Sequence, residues 1–552
     1  MSEFAHELRS AGVGGQIAAA RRSVGLTQRQ LADALGTSIW TVERMEAGAA
    51  DTARYLSTIA DVTHRQRSWF LGSTVPEHDV DRVEEPAKAT DLGAAGRALV
   101  LGSIALLVTI RFFTEVVPVL PRAANFVDIP IFLALAVAAA ATPVEKRYRA
   151  TYLQIGLPAT AFFVLSIASA MVNSERAAPA PVLVFVYGFL APLAIYAAAY
   201  RIWPPGSAGA FSRMLVGLGL FELAVVAVID VPNFVSSGNP DEIGGTFGTN
   251  PYQLVFFLLV VATLLAGISA LEPRRMVARF APFLVLAIFA VVLLAQYRAL
   301  LATTVVMIVV VGVLLGRHTR GILVVILTIL AFGLAFSYIA SSFPSLKLKR
   351  TAATLSQSPW SYARQRYEAT GPVVHLYEDD PRASVVGTGP GTFSSRAWQT
   401  FANAGSTSGS NVQGSYATTL TGGVYETDVS QKYVIPYRRE GAVVEGSSAL
   451  SSPYSSYLGL AAEVGLLGLA IIVGTYLAAL LRIGRLARRT IAAASGDDPV
   501  PALALATTIG FLTLLQMGLL ENWLEVTRVS FVVWAMFAVV LKELDARSDT
   551  VP

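Results

Sequence analysis

Cysteine is absent from the 552 residues, which excludes a disulfide framework and any Cys-ligated metal site. Charge is scarce too. Only 14% of residues are charged against 54% hydrophobic, too apolar a balance for a soluble chain of this length. The first stretch of about ninety residues has no signal-peptide h-region, so it is expected to stay in the cytosol. Neither a Walker P-loop nor a dinucleotide-binding glycine fingerprint occurs. The net charge of +4 is modest, and its basic residues fall in short clusters between apolar runs, which reads as membrane topology and not as a nucleic-acid footprint.

What fills the chain is a series of about twelve apolar stretches near the bilayer-spanning length of ~20 residues. They run over 94–113, 127–143, 152–172, 180–200, 210–231, 252–271, 277–296, 299–316, 321–342, 456–482, 502–522 and 526–541. Every second connection carries the basic residues: Lys146, Arg147 and Arg149; Arg201 and Arg213; Arg274, Arg275 and Arg279; Arg317 and Arg320; Arg482, Arg485, Arg488 and Arg489; Lys542 and Arg547. The opposite connections are acidic or neutral, as in Asp230 to Gly245. The positive-inside rule then puts both termini in the cytosol and segment 343–455 outside. The expected organisation is a cytosolic domain (1–72), a charged, Pro-containing linker (73–93), nine membrane helices (94–342), a large external loop (343–455) and three more helices (456–552). The fold class is an all-α polytopic membrane protein.

Ahead of the first span, "LTQRQLADALGTSIWTVERMEAG" places Leu26, Leu31, Leu35, Val42 and Met45 at the spacing of short amphipathic helices, with Gly36 at a tight turn. It resembles the helix-turn-helix of Cro/repressor type. On DNA, Ser38, Trp40, Thr41 and Arg44 would face the major groove, with Arg21, Arg22 and Arg29 near phosphates. The same module also resembles the protein-docking unit of membrane morphogenesis proteins of the RodZ type, and Trp40 is an odd residue for base readout. DNA and a cytosolic protein partner are both open.

Ionisable groups inside apolar runs need a reason. Arg111 and Glu222 fit a transporter relay, or else Arg111 snorkels or pairs with Glu115 at helical spacing while Glu222 hydrogen-bonds a neighbouring helix. Arg298 sits at a junction between two spans with almost no loop, where a guanidinium would anchor at the surface or grip a diphosphate. In the loop, "GTGPGTF" (Gly387 to Phe393) offers backbone N–H groups to a phosphate or is simply a tight connection. Further on, "SYATTLTGGVYETDV" reads as a hairpin around Gly422 and Gly423.

Four of these places resemble, in order, motifs of the O-antigen ligase and polysaccharide polymerase family. "GGTFGTNPYQLVFFLL" (Gly244 to Leu259) is similar to its Gly-Thr-Phe and Asn-Pro opening of a span, and "QYRALL" (Gln296 to Leu301) to its Ser-Arg-Gly junction. "RYEATGPVVHLYEDDPRASVVGTGPGTF" (Arg366 to Phe393) is similar to its Arg helix followed by Gly-x-Gly-x-Gly-x-Phe. "YSSYLGLAAEVGLLG" (Tyr454 to Gly468) is similar to its His-Asn-x-Tyr-Leu and Glu-x-Gly-x-x-Gly. The resemblance implies a GT-C-like fold and metal-independent transfer of a glycan from a polyprenyl-diphosphate carrier to a glycan or lipid acceptor on the outer face, with no cofactor. It implies that Arg298 and Arg366, with Arg364, hold the diphosphate, and that Gly387, Gly389, Gly391, Ser455, Tyr457 and Glu463 line the substrate. The family's base is a histidine, and that position is Tyr454 here. A phenol titrating near ~10 is a poor base at neutral pH. His375 or a carboxylate among Glu378, Asp379 and Asp380 supplies the base, or the substrates differ, or the chain binds lipid-linked glycans without transferring them. A glycan exporter using Glu222 and Arg111, and an envelope regulator acting through the helix-turn-helix, are the readings from other classes.

Overall fold

An apolar run enters a bilayer only if its own backbone takes up its N–H and C=O groups, and a helix does this locally. The computed structural model carries a helix in each of the twelve apolar stretches and, among the described residues, no strand. Those residues are 13–24, 26–47, 52, 55–63, 70, 87–142, 149–248, 250–272, 276–295, 298–316, 319–342, 368–402, 425–436, 455–494 and 498–548. Among them, 8 helices are long and apolar enough to cross a membrane, and Asp128–Ala141, Thr303–Leu315 and Phe332–Ser342 are shorter apolar segments. The chain is an all-α polytopic protein.

It divides into two units, Met1–Lys88 and Ala89–Pro552. The first holds α1 (Val13–Ser23), α2 (Gln28–Ala34), α3 (Ile39–Glu46) and α4 (Leu56–Val62). Ile17, Leu31, Val42, Met45 and Ile59 form its core. Thr27 and Gln30 make a reciprocal capping box that starts α2, Gly36 turns the chain at φ 63°, and Ser38 caps α3. Arg21 is tied by both Nε (2.6 Å) and Nη2 (3.2 Å) to Glu46, joining α1 to the end of α3.

The second unit runs through α5 (Ala87–Arg111), α6 (Asp128–Ala141), α7 (Arg149–Val172), α8 (Pro179–Ile202), α9 (Ala208–Ser237), α10 (Pro251–Leu271), α11 (Met276–Leu294), α12 (Arg298–Leu315) and α13 (Thr319–Ser342). Short helices α14 (Gly371–Asp379), α15 (Ala383–Val386) and α16 (Arg396–Ala402) precede α17 (Ser456–Ala492), α18 (Val500–Leu520) and α19 (Thr527–Ser548). Every residue of α10 except Ser269 is buried, which makes it the hub. It packs on α9, α11, α13 and α18, while α8 lies along α19 and α17 along both α18 and α7. Edge-to-face contacts among Tyr476, Phe511, Trp534 and Phe537 lock α17, α18 and α19 together.

Where the chain leaves a helix, buried carboxylates take up the stranded N–H groups. Glu543 of α19 accepts the N–H groups of Gly206 (2.7 Å), Ser207 and Ala208 (both 2.9 Å), so the last helix caps the start of α9. Glu222 and Asp230 do the same for the Gly244–Phe247 turn. Asp230 accepts from Gly245 N at 2.6 Å, and Glu222 from Thr246 N at 2.8 Å and from its hydroxyl. Glu222 therefore bonds a turn rather than a neighbouring helix, and the Arg111–Glu115 pair forms at 3.5 Å as the helical spacing predicts.

Candidate functional site

The site is assembled around a break in α17. At Gly465 (φ 73°, ψ 177°) the helix is interrupted, which frees carbonyls of the preceding turn. Ala462 and Glu463 offer theirs to Thr388 N (2.9 Å) and Gly389 N (3.1 Å) of the glycine turn. The Glu463 carboxylate, fully buried, receives the rest of that turn: Gly391 N at 2.5 Å on one oxygen, and Phe393 N (2.9 Å), Ser394 N (3.0 Å) and Ser395 N (2.9 Å) on the other. Gly387, Gly389 and Gly391 have φ of 74°, 104° and 76°, which side chains resist. A Cβ on Gly387 would also press into the Glu463 carbonyl. The donors expected to meet a phosphate are thus occupied by the protein's own carboxylate.

Ser455 caps α17 by accepting from Leu458 N (3.2 Å), and the Tyr457 hydroxyl donates to the Leu515 carbonyl of α18 (2.7 Å). Ser455 and Tyr457 fix the start of α17, Glu463 and the three glycines shape the turn that leads into α16, and none of them lines the adjoining cavity. Held in this way, α16 begins at Arg396, whose backbone N–H donates to Glu525 Oε2 at 2.6 Å.

Beside that bond lies a cavity of about 240 Å³, lined among others by Arg111, Asp128, Gln253, Arg396, Glu525 and Arg528. Against the ~300–1,000 Å³ of drug-sized ligand sites it has room for a headgroup, not for a glycan. Three guanidiniums converge there. Arg111 reaches the Phe247 carbonyl with Nη1 (3.4 Å), and Arg528 the Asn125 carbonyl with Nη2 (2.8 Å). Arg528 is 8% exposed, and its Nη1, like Arg396 Nη1, is buried with no hydrogen-bond partner among the described residues. Glu525 is 4% exposed and its Oε1 is likewise unpartnered. Burial, and then the charge of Glu463, push the Glu525 carboxyl up to about 8, against the pull of the Arg396 N–H and guanidinium. At neutral pH it is mainly uncharged. Asp128, which accepts the Tyr187 hydroxyl at 2.8 Å, lines the cavity with the arginines, and Glu115 pairs with Arg111 at 3.5 Å beside it. Buried cationic nitrogens with no hydrogen-bond partner among the described residues suit an anion with oxygen acceptors.

Of the residues singled out in the sequence, Arg364, Arg366, Tyr454 and the Gly422–Gly423 hairpin lie outside the described residues. Arg298 opens α12, which packs on α18. His375 sits on α14, 71% exposed and 3.0 Å from Glu378, away from the cavity lining. Arg396, Glu525 and Arg528 were missed. The available signal was "ENWLEVTRVS", three charged residues in the short connection and first turn joining the last two apolar runs.

In the N-terminal unit, Ser38 Oγ accepts from Thr41 N (3.2 Å) and lies 2.8 Å from Thr41 Oγ1, so both hydroxyls serve the start of α3. Trp40 is 61% exposed and Ile39 44%, and Arg44 stacks 4.8 Å over the Trp40 ring. The family model described as helix-turn-helix matches residues 17–70. The helix-turn-helix domain of this chain is of Cro/repressor type. No curated protein matches the chain. Within the domain, Arg21 is engaged by Glu46, leaving Arg22 and Arg29 exposed.

Proposed function

We propose that the membrane unit is a glycosyltransferase of the ligase or polymerase kind. In this reading the arginine cavity holds the diphosphate of a polyprenyl-linked glycan on the outer face, and the glycan moves to an acceptor hydroxyl. The observation that carries it is the convergence of Arg111, Arg396 and Arg528, each with one buried guanidinium nitrogen that has no hydrogen-bond partner among the described residues. Diphosphate is both the anion such a fork grips and the leaving group whose charge grows during transfer. The exporter reading loses one of its two residues, because Glu222 is occupied by Thr246. Cells lacking the protein are expected to accumulate one polyprenyl-linked glycan several-fold, accessible to a glycosidase added from outside. Accumulation protected from that glycosidase favours an exporter, and no accumulation counts against transfer.

For the helix-turn-helix domain we propose docking of a cytosolic protein, on the apolar exposure of Ile39 and Trp40, which suits a protein contact better than a phosphate backbone. Deleting residues 1–72 is expected to leave transfer within about twofold, since the two units are built on separate cores. Loss of transfer in the purified truncated chain would contradict this.

A further inference from the structure

With Tyr454 standing where the family's histidine falls, the transfer reading lacks a base, and of the two carboxyl side chains lining the cavity Asp128 already accepts the Tyr187 hydroxyl. We propose that Glu525 is the general base, taking the proton of the acceptor hydroxyl through Oε1. This rests on the transferase reading. As the acceptor oxygen bonds to the anomeric carbon, the bond from that carbon to the diphosphate oxygen breaks. Its electron pair leaves with the diphosphate, held by Arg396 and Arg528, and the hydroxyl proton passes to Glu525.

Position comes first. Glu525 lines the same cavity as the three arginines, so a base and a diphosphate grip share one wall. Its Oε2 is pinned by Arg396 N at 2.6 Å, which fixes the carboxylate plane and leaves Oε1 without a partner among the described residues. Gly188 of α8 faces it, and a Cβ there would lie in ordinary van der Waals contact with Glu525 Cβ at 3.6 Å. A carboxylate buried for structure alone would have both oxygens satisfied, as Glu463 does. His375, the other candidate, is on the surface of α14.

The charged and titratable groups around it are Arg396 on α16, Arg528 in the first turn of α19, Glu463 on α17, Arg111 at the end of α5, and Asp128 with Tyr187 on α6 and α8. Burial and Glu463 hold Glu525 protonated to about 8, while Arg396 favours its charged form. The ionised fraction therefore rises with pH through that value. Transfer should climb over the same range and level off above it.

The test uses the full chain in detergent with polyprenyl-linked glycan taken from cells lacking the protein, and long-chain polyprenyl diphosphate as the binding probe. Glu525→Gln keeps size and an acceptor for Arg396 N but cannot take a proton. It is expected to slow single-turnover transfer by about 100-fold or more, to lose the alkaline rise, and to bind polyprenyl diphosphate within about threefold of wild type. Glu525→Asp is expected to recover part of the rate and the pH dependence. Glu525→Gln with near-normal transfer at every pH overturns the base and leaves the transferase reading standing. A rate loss matched by an equal loss of binding also overturns it, since that makes Glu525 a support for the arginines. A wild-type chain that transfers from no lipid-linked donor overturns both.

Discussion

Arg528→Ala is expected to lower transfer by about 100-fold or more, the usual effect of removing one buried donor aimed at developing negative charge. The side chain is nearly buried, spends Nη2 on the Asn125 carbonyl, and has no hydrogen-bond partner for Nη1 among the described residues. Truncation removes the fork and opens space that water fills, so the chain should still fold. Polyprenyl diphosphate affinity should fall with the rate, in contrast to Glu525→Gln. Arg528→Lys restores charge without the planar fork and should recover only part of the loss. Equal donor affinity in Arg528→Ala and wild type, measured on the full chain in detergent, would place the diphosphate elsewhere.

Glu463→Ala should have the largest effect on stability. Four backbone N–H groups converge on this carboxylate inside the protein. An orphaned buried donor costs about 1–3 kcal/mol, so even with partial relief the loss should exceed about 4 kcal/mol, at the far end of single substitutions. Residues 387–396 would lose their mould, and Arg396 would leave the cavity. The expected readout is a lower melting temperature together with new proteolytic cleavage between Gly387 and Arg396. Glu463→Gln should be milder, since one carbonyl oxygen still accepts while the new amide faces donors. Normal melting and protease resistance in Glu463→Ala would show that the turn holds itself.

The helices were legible in the sequence because membrane helices are determined locally, by apolar length. Each predicted stretch carries one, although some helices run on past the expected ends, that of 456–482 as far as Ala492 and that of 526–541 to Ser548. Glu463 and the Gly387–Gly391 turn were each legible in the sequence, as parts of two separate motifs. Their chemistry was not, because nothing in a linear pattern says whether glycine N–H groups await a phosphate or already hold a carboxylate 72 residues further on. The cavity was hidden for a related reason. Arg111, Arg396 and Arg528 come from three distant parts of the chain, and only the folding of the 387–396 turn onto α17 brings the second to the others. Arg111 is legible as an expensive charge, and pairing with Glu115 accounts for it without revealing that it lines the cavity.

The carboxylates that receive stranded N–H groups also impose an order on synthesis. The Gly245–Thr246 turn finds its acceptor 24 residues earlier, in a helix already made. The glycine turn must wait 72 residues for Glu463, and the start of α9 waits for Glu543, 337 residues beyond Gly206. Until the ribosome has released α19, the beginning of α9 is a polar end without its cap beside the membrane. A nascent chain still lacking Glu543 should therefore be more open to quality-control proteases than one that has it, and Glu543→Ala should share that vulnerability.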